Sequence, residues 1–474
     1  MTSTVQLPLW FVFIVLALAV SVLINHFFLP GIRWFFRRRA NRVLREVNER
    51  LRLKLPTFQL TKREVLIDRL TYDPEVMKVV QAVATERGVT HDGVMAEVAT
   101  YAREMVPSFS PVVYFHLGYR AARWFIRAFY WVRLGFAHKN ALAKFPDTAS
   151  VVFVINHRSN MDYLLVTYLA SRDVAMSYGA GEWARVWPFH VVLRSAGAYI
   201  VRRNDGDRLY RKMLERYVQM ATLGGVPHAI FVEGQLSRDG KVNTPKVGLI
   251  GYIARTFDPR GDRDILFIPV GTNFDRLFEE RTLVANADTD FRGRGMRFVL
   301  GSTLRVIGRE IWRKLTGRWL GFGMACANFG DPVSLRAWSD KHKVDFAELK
   351  KPEFFAAIES LGQELAERII DVIPVLAVPL LSMVILERET PADATTLIAE
   401  AQNSAGELRD KGAHIGFEKD GVEKALKSGL QLMTARGLLQ ESEAGLLSPA
   451  SEETALLQFY ANSMIQLRSK LAGR

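Results

Sequence analysis

The pattern of apolar and polar positions changes character three times along this chain. Up to Ile32 there is no Asp, Glu, Lys or Arg, and Leu7 to Ile24 is almost wholly apolar. From Arg33 to about Pro107 the spacing predicts helices. Asp73-Pro74 is a helix start, with a capping carboxylate and proline in the first turn. Gly88 followed by Thr90 reads as one helix ending and another beginning. From about Ala149 short β-branched runs alternate with amphipathic segments. Val151–Ile155, Ala198–Val201, His228–Val232, Ile265–Val270 and Ala325–Phe329 are predicted strands. Tyr163–Leu169, Asp207–Leu223 and Val247–Phe257 have helical spacing. Beyond about Ala337 the pattern returns to helix, including the apolar stretch Val372–Leu386, which Pro374 and Pro379 make a buried or monotopic helix rather than a span.

Strands alternating with helices predict an α/β fold, with a mostly parallel sheet flanked by helices. The expected organisation is a transmembrane anchor over 1–32, an N-terminal helical region over 33–110, the α/β domain over 111–336 and a C-terminal helical region over 337–474. At about 1.5 Å per residue the first apolar run can cross most of a hydrocarbon core of about 30 Å. Arg33, Arg37, Arg38, Arg39 and Arg42 come directly after it. A signal peptide would place its charge before the run and a small-residue cleavage site after it. The run therefore reads as an uncleaved anchor, with the bulk of the chain on the cytoplasmic side. A buried N-terminal helix is the alternative.

Charge sharpens this picture. The 474 residues carry a formal net charge of +13. Nucleic acid is the usual partner for such an excess, but these cations stand among aromatic residues, which favours an anionic membrane surface over nucleic acid. Tyr114 to Arg133 mixes Tyr119, Trp124, Phe125, Phe129, Tyr130 and Trp131 with Arg120, Arg123, Arg127 and Arg133. That mixture suits a helix lying in a lipid interface, or equally one packing an aromatic stripe on the core. Arg292 to Arg318 is a second basic stretch. Cys326 is the only cysteine, so no intrachain disulfide and no cysteine metal cluster can form. No zinc spacing, phosphate-binding glycine loop or dinucleotide pattern occurs, so neither a metal nor a bound cofactor is implied.

The sharpest candidate chemistry is Asn156-His157-Arg158-Ser159-Asn160-Met161-Asp162, directly after a predicted strand. His157 and Asp162 are spaced so that a turn can return the carboxylate to one imidazole nitrogen. The other nitrogen is then left to take a proton from a substrate hydroxyl. Chance supplies that spacing often, so its weight comes from three further segments downstream. Gly197 to Arg203 ends a strand with Arg202 and Arg203. Phe231 to Lys241 ends another with Glu233, a turn at Gly234, Ser237, Arg238 and Lys241. Guanidinium groups and free amides at a glycine turn suit a phosphate, although loop cations are as often merely solvated. Phe267–Phe274 contains Pro269, placed to shape a pocket wall.

Taken in order, these segments resemble the glycerolipid acyltransferases, and in particular the long glycerol-3-phosphate and dihydroxyacetone-phosphate acyltransferases. His157–Leu165 is similar to that family's first motif, Gly197–Arg203 to the second, Phe231–Lys241 with Thr244–Leu249 to the third, and Ile268–Val270 to the fourth. Asp73–Val76, Tyr101–Met105, Asn328–Pro332 and Leu456–Ser463 extend the likeness over roughly residues 70 to 470. The resemblance implies an O-acyltransferase that moves an acyl group from a coenzyme A or acyl carrier protein thioester to glycerol 3-phosphate, the first step of phospholipid synthesis, at a membrane. It implies His157 as general base and Asp162 as its orienting partner. Arg158, Ser159, Gly197, Arg202, Arg203, Glu233, Gly234, Ser237, Arg238, Lys241, Lys246 and Pro269 would bind substrate. One position departs from the family: Leu236 stands where an arginine is taken to help bind phosphate. This bears on the acceptor, with dihydroxyacetone phosphate and 1-acylglycerol 3-phosphate as alternatives.

Overall fold

Ser150–Ile155 has six consecutive buried residues, five of them Val, Phe or Ile, the composition of a strand covered on both faces. In the computed structural model it is β2 of a mixed sheet. The described residues are 54–137, 146, 148–170, 174–181, 189–202, 206–285, 308–310, 312–317, 319, 321–418 and 421–473, together with Pro8, Leu9, Trp10, Phe13 and Leu16. The chain divides into two units, 1–51 and 52–474, and the second holds the sheet.

The strands are β1 (Trp131–Ala137), β2, β3 (Ser177–Ala180), β4 (Ala198–Ile200), β5 (His228–Phe231), β6 (Ile265–Phe274), β7 (Met324–Phe329) and β8 (Val333–Ser334). Their order is β1-β7-β6-β2-β5-β3-β4, with β8 beside β6. Pairing is parallel except for β7 and β8 against β6. Pro269 sits inside β6 without breaking it, because it falls where the neighbour changes from β8 to β7 and its carbonyl accepts from Gly330 N.

The principal helices are α1 (Pro74–Arg87), α2 (His91–Met105), α3 (Tyr119–Phe129), α4 (Met161–Ala170), α5 (Arg208–Leu223), α6 (Gly248–Ala254), α7 (Glu280–Ala285), α8 (Lys351–Asp371), α9 (Ala377–Glu387), α10 (Ala394–Asp410), α11 (Val422–Ala435) and α12 (Thr454–Ala472). Asp73 caps α1 by accepting from Glu75 N and Val76 N, and Gly88 ends it in the left-handed conformation. Ala377 to Ile385 of α9 are all buried, and α10, α11 and α12 pack around that helix.

Three readings of the sequence need correction or lie beyond the described residues. Among the described residues no helix is long and apolar enough to cross a membrane, so the transmembrane anchor over 1–32 is not supported. Most of that run, the Arg33–Arg42 cluster and most of Arg292–Arg318 lie outside the described residues. An apolar run alone does not define a span: α9 is more apolar than most helices, yet it has 11 residues, about half a bilayer, and is covered by protein. Finally, Tyr114–Arg133 is not one helix. It begins as a π-helical stretch over Val113–Gly118, continues as α3 and stops at Phe129, and Trp131 opens β1. Pairing with β7 overrides the helical periodicity there.

Candidate active site

The site grows from the carboxyl end of β2, where ligands of parallel sheets gather. Asn156 anchors the chain as it leaves the strand. Its side chain donates to Thr272 O at 3.1 Å and accepts from Thr272 N at 2.8 Å. The loop then turns through His157–Asn160 into α4, and Asp162, in the first turn, folds back over it. Asp162 is fully buried. Its Oδ2 accepts from Arg158 N at 2.7 Å, from Ser159 N at 2.8 Å and from His157 Nδ1 at 3.2 Å, while Oδ1 accepts from Thr272 Oγ1 at 2.7 Å. A carboxylate can only accept, which assigns the proton to Nδ1 and leaves Nε2 as the basic nitrogen. The imidazole lies against Phe231, with ring centroids 3.9 Å apart and planes at 17°.

Glu233 fixes the same loop from the other side. One oxygen accepts from His157 N at 3.1 Å and the other from Asn243 N at 3.2 Å. Burial pushes this carboxyl up to about 7, against the hydrogen bonds that favour its charge. Ser237 N donates to His157 O at 2.7 Å, so the segment after β5 is tied to the catalytic loop through backbone. Gly234 turns that segment with φ +65, and Gly240 with φ +80 passes so close to α12 that a Cβ would lie 1.9 Å from Phe459 O.

The remaining residues singled out in the sequence separate into groups. Arg238, Lys241 and Lys246 are exposed on the segment following β5, at the same end of the sheet as His157. The hydroxyls of Ser159 and Ser237 are committed elsewhere: Ser159 Oγ donates to Glu279 at 2.8 Å, and Ser237 Oγ to Lys241 O at 2.8 Å. Arg158 is 2% exposed; its Nη2 donates to Phe459 O at 3.4 Å, and Nε and Nη1 have no hydrogen-bond partner. Arg202 donates to Glu104 of α2 through Nε at 3.1 Å and Nη2 at 2.6 Å, with the rings of Tyr101 and Tyr210 each 4.8 Å away. Gly197 stands before β4, at the amino ends of the parallel strands and so at the opposite edge from His157. Pro269 lies within β6, paired with Val154. Leu236 is partly buried against the core. Arg203 lies outside the described residues.

Residues not singled out complete the constellation. Thr272 holds the second oxygen of Asp162, and Glu279 accepts from both Ser159 and Asn160. Thr272 lies in a segment picked out for its proline. Glu279 had no local signal at all, since its role arises only when the end of β6 meets the loop after β2.

Neither serine hydroxyl is free to act as nucleophile, and the imidazole is placed to take a proton from a hydroxyl that a substrate brings. That is the arrangement of an acyltransferase acting on an alcohol. Residues 138–273 match the family model for acyltransferases, and residues 313–469 match the model for the glycerol-3-phosphate acyltransferase C-terminal region. The chain carries matches to both regions, in that order. It is similar to the glycerol-3-phosphate acyltransferase of Pseudomonas aeruginosa, 27% identical over 317 residues, which are 65% of this chain and 36% of that protein. The counterpart in Alteromonas mediterranea is 23% identical over 437 residues, 88% of this chain and 51% of that protein. That of Xanthomonas axonopodis pv. citri is 29% identical over 364 residues, 73% and 39%. The chain thus spans about half or less of these relatives' length. A solved 1-acyl-sn-glycerophosphate acyltransferase from Thermotoga maritima aligns with 64% of this chain and 97% of its own, at 16% identity and a TM-score of 0.29, too low to bear on the fold.

Proposed function

We infer that this chain transfers a fatty acyl group from a thioester to the primary hydroxyl of glycerol 3-phosphate, giving lysophosphatidic acid. The observation that carries this is the buried His157 Nδ1 to Asp162 Oδ2 contact of 3.2 Å, which leaves Nε2 basic at the carboxyl edge of the sheet. In the reaction, Nε2 takes the hydroxyl proton as the oxygen attacks the thioester carbonyl. The imidazolium, stabilised by Asp162, returns that proton to the departing thiolate as the carbon–sulfur bond breaks. General base assistance supplies roughly 10²–10⁴ in rate, and positioning of the two substrates supplies much of the rest.

Arg238, Lys241 and Lys246 are the exposed cations suited to the acceptor's phosphate, on a segment tied to His157 O through Ser237 N. The thioester, carried by coenzyme A or acyl carrier protein, is a co-substrate, and the scheme requires no further cofactor. A lipid surface as partner fits α3, whose outer face carries Arg120, Arg123, Trp124 and Arg127, with Trp124 72% exposed. Leu236 favours a second acceptor, dihydroxyacetone phosphate or 1-acylglycerol 3-phosphate, because leucine offers no charge where the resemblance calls for arginine.

The test is an acceptor panel on the purified chain and on His157→Asn. Acylation of glycerol 3-phosphate by the wild type, and its loss in a variant with an unchanged circular dichroism spectrum, are the expected results. A folded His157→Asn protein that retains transfer would refute the role of the imidazole. Transfer to another acceptor alone would move the assignment to that acceptor.

A further inference from the structure

A cavity of about 810 Å³ opens beside the catalytic loop rather than over it. Its wall holds five arginines against two glutamates. Glu280 on that wall directly follows Glu279, the residue that holds Ser159 and Asn160.

Arg276 and Arg436 line the inner part, each with a side chain only 7% exposed. Glu310 accepts from Arg276 Nη2 at 2.9 Å and from Arg313 Nη1 at 3.0 Å. Glu280 accepts from Arg436 and from Tyr460. These bonds leave Arg276 Nε and Arg436 Nη1 without a hydrogen-bond partner, and Glu280 Oε1 stands 3.9 Å from the former, too far to supply one. A buried guanidinium N–H without an acceptor is costly, and such a group in a native fold calls for a reason. At the rim Arg309 and Arg313 are about half exposed, and the Trp312 ring is open to solvent.

The excess of guanidinium over carboxylate on this wall suits an anion, and phosphate matches the guanidinium fork. The acceptor substrate is too short to be that anion. In glycerol 3-phosphate only a few bonds separate phosphate from reacting hydroxyl, whereas no residue from Asn156 to Asp162 lines this cavity. A carrier protein is also a poor fit. Its carboxylates would ride on a folded surface and could not reach the recessed Arg276 and Arg436. A coenzyme A thioester, in contrast, carries its phosphates and its adenine at the far end of a long pantetheine arm.

Resting on the acyl-transfer reading, we propose that this cavity receives the nucleotide end of a coenzyme A thioester. Arg276 and Arg436 meet its phosphate oxygens from within, Arg309 and Arg313 from the rim, and Trp312 offers a face to the adenine. The volume is that of a nucleotide-sized site.

Titration calorimetry of the full chain with coenzyme A and with 3′-dephospho-coenzyme A tests this. The double variant Arg309→Gln/Arg313→Gln alters half-exposed rim side chains and leaves Glu310 its bond from Arg276, with a native spectrum and melt as the check on the fold. It should bind coenzyme A about tenfold or more weakly and lose the wild type's preference for the 3′-phosphate, with the KM for glycerol 3-phosphate unchanged. Arg436→Gln, checked for a native spectrum, should show the same loss. An unchanged affinity for coenzyme A in the double variant overturns the proposal. So does a loss confined to phosphatidylglycerol vesicles, or to turnover with acyl carrier protein, with coenzyme A binding intact. His157→Asn should still bind coenzyme A. If the chain binds coenzyme A through these arginines but does not acylate glycerol 3-phosphate, the reaction assignment fails and the cavity assignment stands.

Discussion

Thr272 Oγ1 donates to Asp162 Oδ1 at 2.7 Å, linking the middle of β6 to the carboxylate that orients His157. Thr272 N donates to Asn156 Oδ1 at 2.8 Å, so one residue serves both the orienting carboxylate and the residue that leads into the loop. The imidazole is therefore held by two strands and a helix, not by its own loop alone.

Thr272→Val keeps the shape and removes that donor. Leaving a buried carboxylate oxygen without its partner should cost about 1–3 kcal/mol of stability. We expect kcat to fall about tenfold while the KM for the acceptor stays put, as befits a positioning residue. Steady-state kinetics beside thermal melts will show it; an unaltered kcat would remove Thr272 from the mechanism.

Glu233 makes stability depend on pH. Its carboxyl lies at about 7 in the fold against 4.5 ordinarily, chiefly because it is buried. A raised value means that the folded protein holds the proton more tightly, so this contribution is whole below about 4.5 and disappears as pH rises through about 7. Relative to Glu233→Gln, the wild type should lose on the order of 3 kcal/mol across that window. Parallel melting curves from pH 4.5 to 8 for the two proteins measure it. Parallel stability profiles would show that Glu233 does not titrate there.

Gly240→Ala should be far more damaging than an ordinary loop change. The new Cβ would meet the Phe459 carbonyl at 1.9 Å, and φ +80 strains any other residue. Asn462 donates to Asp239 O at 2.8 Å and Gln466 to Val242 O at 2.9 Å along the same seam, so the clash should lift α12 from the loop. A loss of at least about 2 kcal/mol is expected in denaturant melts. A melt like the wild type's would mean the two elements are not packed this way.

Arg202 and Lys241 should respond differently to loss of charge. Arg202 forms a two-point pair with Glu104 on α2, so Arg202→Gln should cost about 1–3 kcal/mol and leave the acceptor KM within about twofold. Lys241→Gln, on the exposed segment after β5, should raise the KM for glycerol 3-phosphate several-fold, more so at low salt, with little effect on melting. The opposite pattern would return Arg202 to the phosphate.

The strands beneath the site were legible because buried β-branched runs report themselves: Val151–Ile155 and Ile265–Val270 appear as Ser150–Ile155 and Ile265–Phe274. β1 was not, since Trp131–Ala137 is a strand only by virtue of β7 lying beside it. The N-terminal anchor is not supported, since among the described residues no helix is long and apolar enough to cross a membrane. Among site residues, His157 and Asp162 stand five apart on one turn, close enough for local pattern to pair them. Thr272 and Glu279 lie more than a hundred residues further on and join them only through the sheet.

Local chemistry thus determined what the chain could say by itself: which segments pair or coil, and which histidine has a carboxylate within one turn. Tertiary structure decided which cations face the site and which are neutralised. Arg202 stands at a strand end like the other candidate cations, and only the packing of α2 brings Glu104 to it. Charge acts over distances set by the fold, whereas propensity and capping act between neighbours along the chain.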